Sequence, residues 1–209
     1  MNWLKRLFQK QERLFLLLFM SVILAVMYFG AHALPHLQSP RIIEWDPVWH
    51  IPFFGAFIVP YLSLFLMPLL FFVQPKKHDF FRRWTITVLV TAAFSAIIFV
   101  TWPLNLPCQM LNENDIFCWL VTLTYSIDVR GNFFPSQHVV LAFLMAFALG
   151  YEHPTWRWPM IIWAALIAVS TVFVRQHYAI DVAGGLVLAV TAWSVLLRLE
   201  HRQQKTQTG

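Results

Sequence analysis

Charge is what this sequence has least of. Only 12% of its 209 residues are Asp, Glu, Lys or Arg, against about 25% in a soluble domain. A chain so poor in charge cannot clothe a water-exposed globule. There is no soluble module with a clustered basic face, so nucleic acid is excluded as a partner. Cysteine occurs twice, at Cys108 and Cys118, in neither a Cys-x-x-Cys pair nor a zinc-type spacing. Internal repeats and low-complexity linkers are absent as well.

What is abundant is apolar side chain, 59% of the residues, gathered in long blocks rather than alternating. Blocks of roughly 20 residues suffice to cross a bilayer as helices. The sequence therefore predicts an all-α integral membrane protein, one domain over 1–209. Six spans are expected, at about 14–34, 53–73, 84–102, 136–151, 159–174 and 178–197. The first is too long for a signal-peptide core and is followed by no small-residue cleavage site. The second carries Pro60, which membrane helices tolerate when neighbours satisfy the freed backbone groups. The fourth and fifth are short. A long loop at about 103–135 holds an apolar stretch, 116–127, expected to lie on the membrane surface as a helix.

The basic residues orient this layout. With the N-terminus in the cytoplasm, 12 of the 15 Lys and Arg residues fall on cytoplasmic segments, leaving Arg41, Arg130 and Arg175 outside. That bias follows the positive-inside rule with both termini inside. Small size and short loops point to a bacterial inner membrane, with a lumenal site in an internal membrane as the alternative. Cys108 and Cys118 then share an external loop, where an oxidising compartment permits a disulfide. Two unpaired thiols are the other reading.

The same orientation brings two polar stretches to the non-cytoplasmic face. One is Phe133-Phe134-Pro135-Ser136-Gln137-His138, and the other runs from Arg175-Gln176-His177-Tyr178 to Asp181. His177 and Asp181 are four apart, which on a helix puts them on one face. A carboxylate there can hold one imidazole nitrogen and leave the other as nucleophile. His138 can act as general acid and then general base. Ser136 opens a helix whose free N–H groups favour an anion, although a plain helix cap is its other reading. Arg175 adds a permanent positive charge, or is a snorkelling interfacial arginine. Gln137, Asn132 and Tyr178 adjoin these stretches and are candidates for lining the site. His36, His50, His78, His153 and His201 read as interfacial polar residues, and Gly184 and Gly185 as close-packing positions.

These residues resemble a known family. Phe134-Pro135-Ser136-Gln137-His138 is similar to the Pro-Ser-Gly-His signature of the type 2 phosphatidic acid phosphatase superfamily. Ser170 to Asp181 resembles that superfamily's last signature, which ends in His-x-x-x-Asp. Gly131 with Phe134-Pro135-Ser136-x-His138, and His177-Tyr178 with Asp181-Val182, look closest to inositol phosphorylceramide and sphingomyelin synthases. The resemblance implies a lipid phosphate substrate, His177 as the nucleophile that becomes phosphohistidine, and Asp181 as its orienting group. It further implies His138 as the acid and base, Ser136 on the phosphoryl oxygens, and no metal or cofactor. Two features depart from it. No basic residue stands in the stretch 102–108 where the first signature belongs, and Thr171 replaces an arginine six residues before the histidine. Arg175 and Arg130 are the candidates for the missing charge, since phosphoryl transfer spreads negative charge over three oxygens. Three functions follow: a lipid phosphatase, a phosphotransferase using a hydroxyl acceptor, or a non-catalytic membrane protein such as a transporter.

Overall fold

The computed structural model describes residues 3–34, 37–73, 78–107, 115–128 and 132–208. Its elements are helices: α1 Trp3–Ala33, α2 Ile58–Leu62, α3 Met67–Val73, α4 His78–Thr101, α5 Ile116–Ile127, α6 Gln137–Glu152, α7 Arg157–Phe173 and α8 Ala179–Thr208. Short 3-10 turns join several of them. Among the described residues there is no strand, only an isolated parallel bridge between Arg41 and Leu104.

Among the described residues, four stretches are long and apolar enough to cross a membrane: Gln11–Ala33, Asp79–Thr101, Pro154–Phe173 and Ala179–Gln203. The chain is a multi-pass membrane protein. The segments expected as the second and fourth spans are shorter apolar helices, Gly55–Leu70 and Gln137–Glu152. For α6 the reason lies in its position. It packs against α7, α8, α4 and α3, and Val140, Ala142, Leu144, Ala146, Ala148 and Leu149 are fully buried. With 16 residues it is about 24 Å long, less than the ~30 Å hydrocarbon core. With most of its side chains buried among these neighbours, its length need not match the bilayer. Small side chains admit those neighbours closely: a Cβ on Gly150 would come within 2.9 Å of the Arg157 backbone.

The second segment is broken rather than continuous. Pro60 has no N–H to donate, and its own carbonyl accepts the Ser63 hydroxyl at 2.6 Å. The chain tightens into a 3-10 turn at Ser63–Leu66 before α3 begins, with Pro68 in its first turn. The Trp163 indole on α7 donates to the same Ser63 hydroxyl at 2.8 Å and fixes the kink. The apolar stretch 116–127 is observed as a helix, α5. The polar tail expected after 197 continues as helix, because Arg83 on α4 holds Glu200 as an ion pair. Glu12 and Arg82 also meet, 3.5 Å apart. These contacts gather the N-terminal ends of α1 and α4 and the C-terminal end of α8 at one end of the bundle.

The opposite end is roofed by a smaller core. Ile43, Val48, Leu104, Leu106, Phe133 and Tyr178 cluster there, drawn from four connecting segments. Backbone bonds from Arg41 N–H to the Pro103 carbonyl and from Asn105 N–H to the Arg41 carbonyl knit two of them together. This roof covers the N-terminal ends of α6 and α8 and the C-terminal end of α7, which carry the chemically suggestive residues.

Candidate active site

His177 follows the end of α7 through a tight reversal. Val174 caps the helix, Arg175 N–H bonds to the Val172 carbonyl at 3.0 Å, and Gln176 N–H to the Thr171 carbonyl at 2.9 Å. This is a Schellman C-cap, whose reversing residue adopts the left-handed conformation and is usually glycine. Here it is Arg175, with φ of 56°, an uncommon and mildly strained state for a residue with a Cβ. Its guanidinium Nη2 donates to the Ile51 carbonyl at 2.8 Å, and its buried Nε has no hydrogen-bond partner. Thr171, which stands where the resemblance leads one to expect arginine, is fully buried and donates to the Ala168 carbonyl.

The His177 and Asp181 side chains meet, Nδ1 to Oδ2, at 3.4 Å, with 5% and 0% of each exposed. They do so by a route other than a shared helix face. α8 starts at Ala179, so His177 precedes it and Tyr178 is the N-cap. Asp181, the third helical residue, reaches back so that its Oδ2 accepts the Tyr178 N–H at 2.8 Å. That is one half of a capping box, and it aims the same oxygen at the imidazole. With Nδ1 held, Nε2 of His177 is the free nitrogen.

Tyr178 cannot supply the other half of the cap. Asp46, remote in sequence, supplies it instead. Its Oδ1 accepts Ala179 N–H at 2.9 Å and Val48 N–H at 2.9 Å, and its Oδ2 accepts Ile180 N–H at 3.0 Å. The residue is completely buried. An Asp before Pro47 announces a local cap, and Asp46 does cap the 3-10 turn Pro47–His50. Nothing local reveals that it also caps α8. Because two carboxylates already occupy the α8 N-terminus, that terminus is no anion site.

The N-terminus of α6 is different. Ser136 is its N-cap, buried, and its side chain makes no capping bond. Its Oγ is without a partner, as is the buried Nε2 of Gln137. The plain-cap reading of Ser136 is therefore not what is observed. Ser136 N–H donates to the Asp181 carbonyl at 3.0 Å, which joins the two polar stretches directly. Glycines make this approach possible: a Cβ on Gly185 would lie 2.7 Å from the Ser136 carbonyl oxygen, and one on Gly184 would lie 2.4 Å from the Phe134 ring.

His138, in the first turn of α6, faces His177 with ring centroids 5.6 Å apart. On its other side lies the ring of Tyr61, at 4.5 Å. A single phosphoryl group can touch both imidazoles at this separation. The structure thus brings together His177, His138, Asp181, Ser136 and the backbone N–H groups of α6. Asn132 is buried and donates to the Tyr28 carbonyl at 2.6 Å, away on α1. Tyr178 has its hydroxyl committed to the roof, donating to the Asn105 carbonyl at 2.8 Å and accepting Ile43 N–H at 3.2 Å. Its link to the site is its backbone. Arg130 and Cys108 lie outside the described residues, and with Cys108 the suggested disulfide; Cys118 is half-buried on α5. Among the described residues, no group of three or more His, Cys, Asp or Glu is placed to hold a metal.

Comparison with known proteins points the same way. The model of the PAP2 superfamily matches residues 107–205, a range that includes α5, α6, α7, most of α8 and both His138 and His177 but neither Asp46 nor Tyr61. The undecaprenyl-diphosphatase BcrC of Bacillus subtilis is 35% identical over 57 residues, 27% of this chain and 30% of that protein. The bacitracin transport permease protein BcrC of Bacillus licheniformis is 34% identical over 59 residues, 28% of this chain and 29% of that protein. The chain thus matches about three-tenths of the length of these curated relatives. No solved structure matches at comparable significance.

Proposed function

We propose that this protein is a membrane lipid phosphatase that removes phosphate from a lipid phosphate or diphosphate through a phosphohistidine on His177. One observation carries the reading: two histidine rings 5.6 Å apart, one oriented by a buried carboxylate, beside a helix N-terminus with no side-chain cap. The match of residues 107–205 to the PAP2 superfamily supports it. The similarity to an undecaprenyl-diphosphatase makes a lipid diphosphate the first substrate to test.

The reaction runs in two displacements. The Nε2 lone pair of His177 attacks phosphorus, the bond from phosphorus to the leaving oxygen breaks, and His138 gives that oxygen its proton. Water then attacks the phosphohistidine with His138 as base. The P–N bond breaks, inorganic phosphate departs, and His138 has its proton back. Ser136 Oγ and the first N–H groups of α6 hold the phosphoryl oxygens, and Arg175 supplies the fixed positive charge. The chain crosses the membrane six times, with α6 as the buried short span, and the site faces the non-cytoplasmic side. Metal is not required for this chemistry. The motif likeness to inositol phosphorylceramide synthases favours a second reading, in which a hydroxyl acceptor replaces water at the same residues.

The test is phosphate release by detergent-purified protein from long-chain lipid monophosphates and diphosphates, with chelator present and His177→Ala in parallel. Release that survives chelator and vanishes in the variant supports the phosphatase. Release only when a hydroxyl acceptor is added supports the transferase. Release that persists in His177→Ala overturns the mechanism.

A further inference from the structure

His138 must give a proton to the leaving oxygen and then take one from water, so in each cycle its ring passes between charged and neutral forms. We propose that Asp128 is a positioning residue that balances this charge, giving the site a second histidine–carboxylate pair beside His177 and Asp181. The proposal rests on the phosphatase reading and adds a residue to the same site.

Two carboxylates near the histidines are already committed. Asp181 holds the His177 ring and the Tyr178 N–H, and Asp46 holds three backbone N–H groups. Asp128 is different. It lines the cavity beside His138 together with Tyr28, Tyr61 and Gln137, and among the described residues no other carboxylate does so. Its charge acts on the His138 ring across that space.

Local structure alone would not put a carboxylate there. Asp128 is the C-cap of α5, its N–H donating to the Thr124 carbonyl at 2.8 Å. The C-terminal end of a helix carries partial negative charge, so an anionic side chain is disfavoured at that end. What holds Asp128 comes from other elements. The Tyr28 hydroxyl on α1 donates to its Oδ1, and the Tyr61 hydroxyl on α2 lies within hydrogen-bonding reach of it. Tyr61 also presses its ring on His138, with centroids 4.5 Å apart and planes inclined by 31°, so one side chain spaces the carboxylate from the imidazole. Asn132, leading into α6, donates to the Tyr28 carbonyl at 2.6 Å. Tyr28 thereby fastens the end of α5 and the approach to α6 to the same point of α1.

The remaining surroundings of His138 offer it no negative charge. α1 brings Tyr28, α2 brings Tyr61, α4 brings Ala92, Ala96 and Phe99, and the turn before α8 brings His177, itself paired with Asp181. Tyrosine hydroxyls are neutral near pH 7. An imidazolium enclosed by such groups is costly without a countercharge, and Asp128 is the carboxylate in place to supply it. In the first displacement the proton passes from His138 to the leaving oxygen, and Asp128 keeps its charge. In the second, His138 takes a proton from the attacking water and the new imidazolium again faces Asp128. Asp128 carries no proton itself and touches no reacting atom.

The experiment compares kcat/KM for an alkyl phosphate and for 4-nitrophenyl phosphate in wild type and Asp128→Asn. Nitrophenolate departs without a proton and an alkoxide does not, so a weakened acid shows on the alkyl ester. Asp128→Asn should cut the alkyl-to-nitrophenyl ratio by about tenfold or more. An equal loss on both esters, the mark of a purely structural role, or an unchanged ratio overturns the proposal. Asp128→Ser also removes the charge and takes the place of Asp128→Asn, with the same expected ratio, if the latter does not fold. A second readout needs no turnover. Diethyl pyrocarbonate modifies neutral imidazole, and at mildly acidic pH the rate at His138, mapped by mass spectrometry on substrate-free protein, should rise by about threefold or more when the carboxylate is removed. The exposed His50 serves as the internal reference. A faster rate at His138 in protein that cleaves neither ester supports the pair and places the failure in the phosphatase reading. An unchanged rate overturns the pair whether or not an ester is cleaved.

Discussion

Replacing Asp46 by alanine should damage the site from a position the reacting phosphate never touches. The carboxylate accepts three backbone N–H groups at 2.9–3.0 Å, two of them the first donors of α8, and it is fully buried. Alanine leaves all three without a partner. An unsatisfied buried donor costs about 1–3 kcal/mol, and water entering the vacated space recovers part of that, so a net loss of about 3–5 kcal/mol is expected. Asparagine keeps an oxygen for Val48 and Ala179 but turns an amide N–H toward Ile180. It should lose one bond, about 1.5–3 kcal/mol. For a chain of this size, 3 kcal/mol corresponds to roughly 6–12 °C in the unfolding midpoint. The α8 N-terminus positions His177 and Asp181, and a displacement of about 1 Å at reacting groups costs on the order of a hundredfold in rate. kcat should therefore fall while KM stays close to its wild-type value. Thermal unfolding and steady-state turnover of wild type, Asp46→Asn and Asp46→Ala in the same detergent read both effects. Wild-type stability and turnover in Asp46→Ala, or a larger loss in asparagine than in alanine, would refute the reasoning.

Arg175→Gly separates stability from chemistry. Glycine relieves left-handed strain of about 1–2 kcal/mol but deletes the guanidinium bond to the Ile51 carbonyl, worth about 1.5–3 kcal/mol, so stability should hold or fall by only about 1 kcal/mol, whereas turnover should drop steeply if the proposed mechanism loses its cation; unchanged turnover would remove Arg175 from the mechanism. Asp181→Asn keeps the shape but not the charge that holds the His177 tautomer, and kcat should fall by on the order of ten-thousandfold in the same assay. Gly185→Ala drives a Cβ to 2.7 Å from the Ser136 carbonyl, so it should lower both melting temperature and activity. Gly30→Ala, with nothing within 4 Å of its Cβ, should be neutral or stabilising by about 0.5–1 kcal/mol in a helix.

The helical bundle was legible because apolar blocks are local and so is the demand that a chain in lipid satisfy its own backbone. The break in the second segment was not. Pro60 alone is tolerated in a membrane helix, and what turns the kink into a 3-10 turn is a tertiary bond from Trp163 to Ser63. The helical tail beyond 197 was hidden for the same reason, since Arg83 holds Glu200 from another helix. At the site, the pairing of His177 with Asp181 was read correctly from spacing but for the wrong geometry. The helix begins two residues later than the shared-face argument needs, and a capping box makes the contact. Asp46 and Tyr61 went unseen because their partners lie far along the sequence and no local pattern marks them. The cavity beside His138 likewise exists only once α1, α4, α5 and α6 are assembled.

The central claim is that His177 takes the phosphoryl group itself. Purified protein would be mixed with a lipid diphosphate radiolabelled in its terminal phosphate, quenched at neutral to alkaline pH within the first turnover, digested and mapped. The account predicts an acid-labile label on the peptide carrying His177, present in wild type and absent in His177→Ala. Substrate turnover with no label on any histidine, or label that persists in His177→Ala, would contradict it.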